Sequence, residues 1–124
     1  MKSYKDLDVY KLSHALAGEV HKLTLENLPK SEMFEEGNQV CRSSKSIVAT
    51  IVEGFGRKQY QQEYIKFLTY ALASTDETQE HLGLLFETGS LKDRGLYESL
   101  LRRYEELGKK LNSLRSVIQK DLNK

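Results

Sequence analysis

The most suggestive spacing for chemistry in this sequence is at Gly54 and Gly56, which are followed at once by Arg57 and Lys58. A glycine-rich turn that opens a helix can bind phosphate, and two cations would strengthen that binding. Such a loop normally follows a β-strand, whereas residues 44–53 show the spacing of a helix. The pattern therefore predicts a corner between two helices. Both glycines are expected in the left-handed conformation that ends a helix, and Arg57 and Lys58 in reach of a polyanion.

Histidine and cysteine are too scattered to predict catalysis or a metal site. His14 and His21 are separated by about 10 Å of helix, which is too far for one metal ion. His81 follows Glu77 by four residues, not the three that di-iron bundles use. Cys41 has no histidine close in sequence and is expected to be a buried, inert thiol. We therefore expect no enzyme, cofactor or small-molecule substrate.

Basic residues concentrate near the C-terminus. Residues 94–124 contain eight basic and four acidic side chains, whereas residues 59–88 contain one basic and five acidic. Two basic pairs, Arg102-Arg103 and Lys109-Lys110, lie seven residues apart and form one stripe on a helix, called here the α4 stripe. This stripe either contacts RNA phosphates or is a solvated face that complements the acidic third helix. No aromatic residue is interleaved with it except a seam tyrosine, which argues against recognition of single strands by stacking there.

The elements that position these residues are four amphipathic helices. They are predicted at about 7–25, 38–55 with a weaker start at Ser31, 60–87, and from Arg94 into the tail. Asp6 or Asp8 should cap the first helix and Asp93 the fourth. The apolar seam of the third helix runs through Tyr64, Leu68, Ala71, Thr75, Thr78, Leu82 and Leu85. That of the fourth runs through Leu100, Tyr104, Leu107, Leu111, Leu114 and Ile118.

Short loops require neighbouring helices to run antiparallel, so residues 1–124 are predicted to form one all-α, up-down-up-down four-helix bundle. The chain of 124 residues has 30% charged residues and a net charge of only +1, so global charge does not indicate nucleic-acid binding. No signal peptide or apolar run of about 20 residues is present, and a single cysteine fits a reducing compartment. We expect a cytoplasmic protein with no membrane partner.

Three segments carry a resemblance to a known family. They are "LDVYKLSHALAGEVHKLT", "LPKSEMF" and "QVCRSSKSIVATIVEGFGRKQYQQEYIKFLTYALASTDETQ". Together they resemble the four-helix-bundle proteins encoded within intervening sequences of bacterial 23S ribosomal RNA genes. The resemblance implies an antiparallel bundle that assembles into ring-like homo-oligomers, typically pentamers, and for which RNA association is suspected. The chain departs from the family pattern at Cys41-Arg42, where two basic residues are common, and at Val48 and Thr50, where Pro and Asn are common.

A polar stripe on the second helix, called here the α2 stripe, coincides with motif positions of that family. It comprises Gln39, Arg42, Ser46, Thr50 and Glu53, of which Gln39, Arg42, Ser46 and Glu53 are the motif positions. The stripe is either plain solvent-exposed surface or an interface between subunits, in which Arg42 would pair with Glu77 of a neighbour.

Two functions follow from the sequence. The first is a non-enzymatic, self-associating bundle that binds ribosomal or other structured RNA. The second is an interaction scaffold, again a homo-oligomeric ring, with no nucleic-acid role. The expected RNA contacts are Arg57, Lys58, Arg102, Arg103, Lys109 and Lys110.

Overall fold

The computed structural model describes residues 3–124, which form four long α-helices and no β-strand. Short 3-10 turns, Tyr4–Asp6 and Lys30–Phe34, precede the first two helices. The four helices predicted from periodicity are confirmed, with ends within about two residues of the prediction. They are α1 (Asp8–Glu26), α2 (Glu36–Gly56), α3 (Gln61–Glu87) and α4 (Arg94–Leu122).

The helices pack as a closed ring of four neighbours. α1 contacts α2 and α4, and α3 contacts the same two helices. His81, near the end of α3, meets Glu36 at the start of α2, and Arg103, early in α4, meets Glu19 in the second half of α1. Each of these pairs joins the start of one helix to the later part of another. α2 and α3 therefore run antiparallel, and so do α1 and α4, as expected for the predicted four-helix bundle.

The core follows the predicted seams. Every seam position named for α3 is buried, and in α4 only Leu114 remains half-buried. Two threonines lie in the α3 seam, and their hydroxyls are satisfied internally: Thr75 donates to the Ala71 carbonyl at 2.8 Å, and Thr78 reaches Ser43 Oγ at 2.8 Å. Their small size and satisfied hydroxyls let polar residues occupy a core layer without the cost of unpaired groups.

The corner between α2 and α3 differs from the prediction. Gly54 and Gly56 are both helical residues of α2, so the expected left-handed conformation is wrong. Among residues 3–124 only Gly89 has a positive φ, +83°. Gly54 instead permits close packing, because a Cβ at this position would lie 2.9 Å from the Cβ of Phe67. The glycine is needed for the approach of α3 rather than for the turn itself.

The predicted caps were partly correct. Asp93 accepts a hydrogen bond from the backbone N–H of Leu96 at 3.0 Å and caps α4 as expected. α1 has Leu7 at its N-cap position and no side-chain cap, so neither Asp6 nor Asp8 caps it. Asp6 instead accepts the N–H of Ser3 at 3.2 Å and closes the preceding 3-10 turn. Because the Asp6 carboxylate is used in this 3-10 turn, it does not cap α1.

Candidate nucleic-acid interface

The two cations at the α2–α3 corner have different surroundings. The Arg57 guanidinium lies 3.4 Å from a Glu53 oxygen and 3.5 Å from a Glu63 oxygen, so its charge is largely compensated. The Lys58 ammonium sits 3.9 Å from the centroid of the Phe55 ring. A ring face holds a cation without neutralising it. Lys58 makes no ion pair within residues 3–124, so it retains its full charge for a partner.

On α4, Arg103 is already engaged within the chain. Its guanidinium donates two hydrogen bonds to the carboxylate of Glu19 on α1, one of them at 2.7 Å. The hydrogen bond from Arg103 lowers the pKa of Glu19 below its ordinary value, although partial burial opposes it. The same bond raises the pKa of Arg103. The carboxylate that compensates this part of the α4 stripe therefore belongs to α1 and not to the acidic α3.

The other three members of the α4 stripe are less constrained. Arg102 and Lys109 are exposed, and neither makes an ion pair with any described residue. Lys110 is half-buried and lies 4.0 Å from Glu106. Seven-residue spacing thus places Arg102 and Lys109 on one exposed face, whereas Arg103 faces Glu19 on α1 and Lys110 is half-buried. Only the outer pair presents uncompensated charge.

The six predicted RNA contacts do not form one surface. Arg102 precedes Leu122, which lies beside the corner, by 20 residues, or about 30 Å along the helix axis. Arg57 and Lys58 are therefore at one end of the bundle, while Arg102 is near the other. Arg115 was not among the predicted contacts; it donates hydrogen bonds to Thr69 on α3 at 3.2 Å and to Asn112 at 2.8 Å.

A concavity of about 860 Å³ opens at the corner and is called here the corner pocket. It is lined by residues 57–63 and by Leu122 from the end of α4. The Tyr60 side chain is among its walls, and 62% of this residue is exposed. Tyr60 was not predicted as a site residue, although its position two residues after Lys58 indicates an aromatic ring close to these cations.

The α2 stripe lies on the outside of the bundle. Gln39, Arg42, Ser46 and Glu53 are exposed and Thr50 is half-buried, and Arg42 makes no ion pair with any residue from 3 to 124. Glu77, its expected partner in a neighbouring subunit, is exposed on α3 and lies 3.8 Å from Nε2 of His81. The stripe therefore remains uncovered in a single chain.

The expectation for Cys41 was wrong. The thiol is half-buried, and its sulfur lies 3.8 Å from Nδ1 of His21. Lys45 Nζ is 3.2 Å from the same nitrogen. Twenty residues separate the cysteine from this histidine, so local sequence gave no sign of the contact. Within residues 3–124, no cluster of three or more metal-ligating side chains is present, and none of the helices has the length and apolarity to cross a membrane.

Comparison with known proteins adds a family to this geometry. The family profile described as 23S rRNA-intervening sequence protein matches residues 5–113. A crystal structure from Bacteroides thetaiotaomicron, described as a protein of unknown function from the S23 ribosomal protein family, is 30% identical in sequence, with a TM-score of 0.78. The alignment covers 87% of this chain and 95% of that one. No curated protein matches the chain.

Proposed function

The chain belongs to the 23S rRNA-intervening sequence protein family, and from that premise we propose that it is a non-enzymatic protein that binds structured RNA in the cytoplasm, with ribosomal RNA as the first candidate. The observation that carries the proposal is a set of exposed cations that no carboxylate neutralises within residues 3–124. Three of these cations, Lys58, Arg102 and Lys109, are among the predicted RNA contacts.

The arrangement of these cations favours a folded RNA. Lysine and arginine side chains bind phosphates through charge and release condensed counterions, so a near-neutral protein can bind RNA through a few local contacts. Lys58 lies at the corner, whereas Arg102 lies about 30 Å away along the bundle. A folded RNA can present phosphates at both places at once. The two-sided contact therefore supports a structured ligand rather than a short linear one.

The proposal is tested by binding of the full chain to labelled ribosomal RNA fragments at several salt concentrations. We expect the triple variant Lys58→Gln, Arg102→Gln, Lys109→Gln to bind more weakly and to lose about 2 to 3 units from the slope of log affinity against log salt. A matched control, Lys22→Gln, Lys30→Gln, Lys92→Gln, removes the same charge from exposed positions outside the proposed contacts and should bind as the parent does. Equal, weak binding by all three proteins that vanishes at physiological salt would exclude an RNA role.

A second candidate function is an interaction scaffold without nucleic acid. The observation that favours it is a group of exposed apolar side chains at the end where α1 meets α2: Leu25, Met33 and Phe34 are 67%, 59% and 84% exposed. Large apolar side chains gathered at one place are typical of protein contacts. With the uncovered α2 stripe, they support assembly into a homo-oligomer, which the family resemblance suggests is a pentameric ring.

Sedimentation of the full chain tests self-association. We expect Phe34→Ser to reduce the assembled fraction because an aromatic anchor is lost. Arg42→Glu should reduce it by placing like charges opposite Glu77 of the neighbour, and Arg42→Glu with Glu77→Arg should restore it. Unchanged assembly of the Arg42→Glu variant would exclude the α2 stripe as an interface.

A further inference from the structure

The corner pocket combines features that the phosphate-binding cations alone do not explain. Its volume of about 860 Å³ lies within the range of roughly 300–1,000 Å³ found for ligand sites. The backbone turns sharply here: the N–H of Tyr60 donates to the Arg57 carbonyl at 2.8 Å, and that of Lys58 to the Phe55 carbonyl at 3.1 Å. These bonds hold the turn in place while the Tyr60 ring stays exposed.

Arg57 and Glu63 line the pocket and pair with each other at 3.5 Å, whereas its three amide side chains are unused by the chain itself. Gln59, Gln61 and Gln62 make no side-chain hydrogen bond to any described residue. An amide offers both donors and an acceptor, which is what the edge of a nucleobase requires. The ammonium of Lys58 remains uncompensated beside them. The pocket thus places an aromatic face, amide groups and a positive charge around one opening.

The start of α3 adds further donors. Tyr60 is the N-cap of this helix of 27 residues and provides no side-chain cap. The first helical bond at this end runs from the N–H of Tyr64 to the carbonyl of Tyr60, at 3.0 Å. The N–H groups of Gln61, Gln62 and Glu63 therefore have no acceptor within the helix and can donate hydrogen bonds to an anion. The residues that carry these donors line the same pocket as Lys58.

We propose that the corner pocket binds one unpaired nucleotide of the RNA, with its base stacked on Tyr60 and its phosphate held by Lys58 and the first N–H groups of α3. This inference rests on the proposed RNA-binding function and assigns the kind of RNA element recognised, an unpaired nucleotide in a loop of the folded RNA rather than a duplex. Unpaired bases are read by stacking on aromatic rings and by hydrogen bonds to their edges. An apolar side chain from another subunit would contact the Tyr60 ring but would make no hydrogen bond with the glutamine amides and no ion pair with Lys58.

The test compares a labelled single-stranded oligoribonucleotide with a hairpin stem of the same base composition, using fluorescence anisotropy on the full chain. We expect Tyr60→Ala to weaken single-strand binding about tenfold or more and to leave stem binding unchanged. Tyr60→Phe keeps the ring and should bind as the parent does. Tyr70→Ala removes another exposed tyrosine of α3, outside the pocket, and should have no effect.

The outcomes separate this inference from the function on which it rests. Single-strand binding that is equal in the Tyr60→Ala and parent proteins would overturn the pocket assignment while leaving RNA binding in place. Absence of binding to either RNA by the parent protein at low salt would overturn both. If Tyr60→Ala changed the sedimenting size of the protein but not its affinity for RNA, the pocket would be a contact between subunits, and the inference would be wrong.

Discussion

The ion pair between Glu19 and Arg103 gives the sharpest test of how charge is distributed on this bundle. Replacing either residue with glutamine removes two charge-assisted hydrogen bonds that join α1 to α4. The side chains are 41% and 30% exposed, so the contact is only partly shielded from water. Exposed pairs contribute about 0.2–1 kcal/mol and bidentate arginine pairs more, so we expect a coupling energy of about 1 kcal/mol.

The assay is a double-mutant cycle in urea at pH 7 with Glu19→Gln, Arg103→Gln and the combined variant. For a chain of this length, about 1 kcal/mol corresponds to a shift of roughly 4 °C in Tm. Arg102→Gln is the matched control, because it removes the same charge from the neighbouring exposed position and should leave stability within about 0.5 kcal/mol of the parent. It should, however, weaken RNA binding, which Arg103→Gln should affect little.

The pair also predicts a dependence on pH. The pKa of Glu19 is lowered in the folded chain, chiefly by the hydrogen bond from Arg103. Its contribution to stability is therefore complete above the ordinary carboxyl pKa and is lost as pH falls through the lowered folded value. The cost of Glu19→Gln should shrink in the same window. A coupling energy near zero at pH 7, or one that grows as pH falls through that window, would refute this account of the pair.

Three further substitutions test the packing. Gly54→Ala should lower the free energy of unfolding by about 1–3 kcal/mol, because the added methyl group would meet Phe67. Gly18→Ala is the control: the space around Gly18 is open, so this change should raise the free energy of unfolding by about 0.5–1 kcal/mol. Equal effects of the two changes in chemical denaturation would contradict the close-packing role of Gly54. Tyr104→Phe should raise the free energy of unfolding by about 1 kcal/mol, because the buried hydroxyl has no partner in residues 3–124. Burial raises the pKa of Tyr104, so the parent should lose stability above about pH 10 and the Phe variant less; alkaline denaturation curves that coincide would count against this.

The fold was predictable because its main cause is local. Apolar residues that recur every three or four positions define one face of a helix. Because the connections are short, consecutive helices must run antiparallel. Asp93 was identified as a cap for the same reason, since the bond to Leu96 spans only three residues. The prediction failed at Gly54, where the requirement for glycine comes from Phe67 on another helix.

The candidate site was less predictable, because the sequence shows which residues carry charge but not which charges are neutralised by a partner in the folded chain. Arg102 and Arg103 are adjacent and chemically identical, yet one is free and the other is bound to Glu19, 84 residues away. Cys41 on α2 and His21 on α1 likewise come into contact only because the two helices pack together.

The sequence by itself determined four amphipathic helices, their order, their antiparallel packing and a family resemblance that comparison confirmed. Only the tertiary structure decided which cations are neutralised, and that Tyr60 lines a pocket with Lys58 and the end of α4. The physical reason is the distance along the chain over which each interaction acts. Helix formation and amphipathicity arise within a few turns of chain, whereas charge compensation and pocket shape depend on side chains that folding brings together from distant positions.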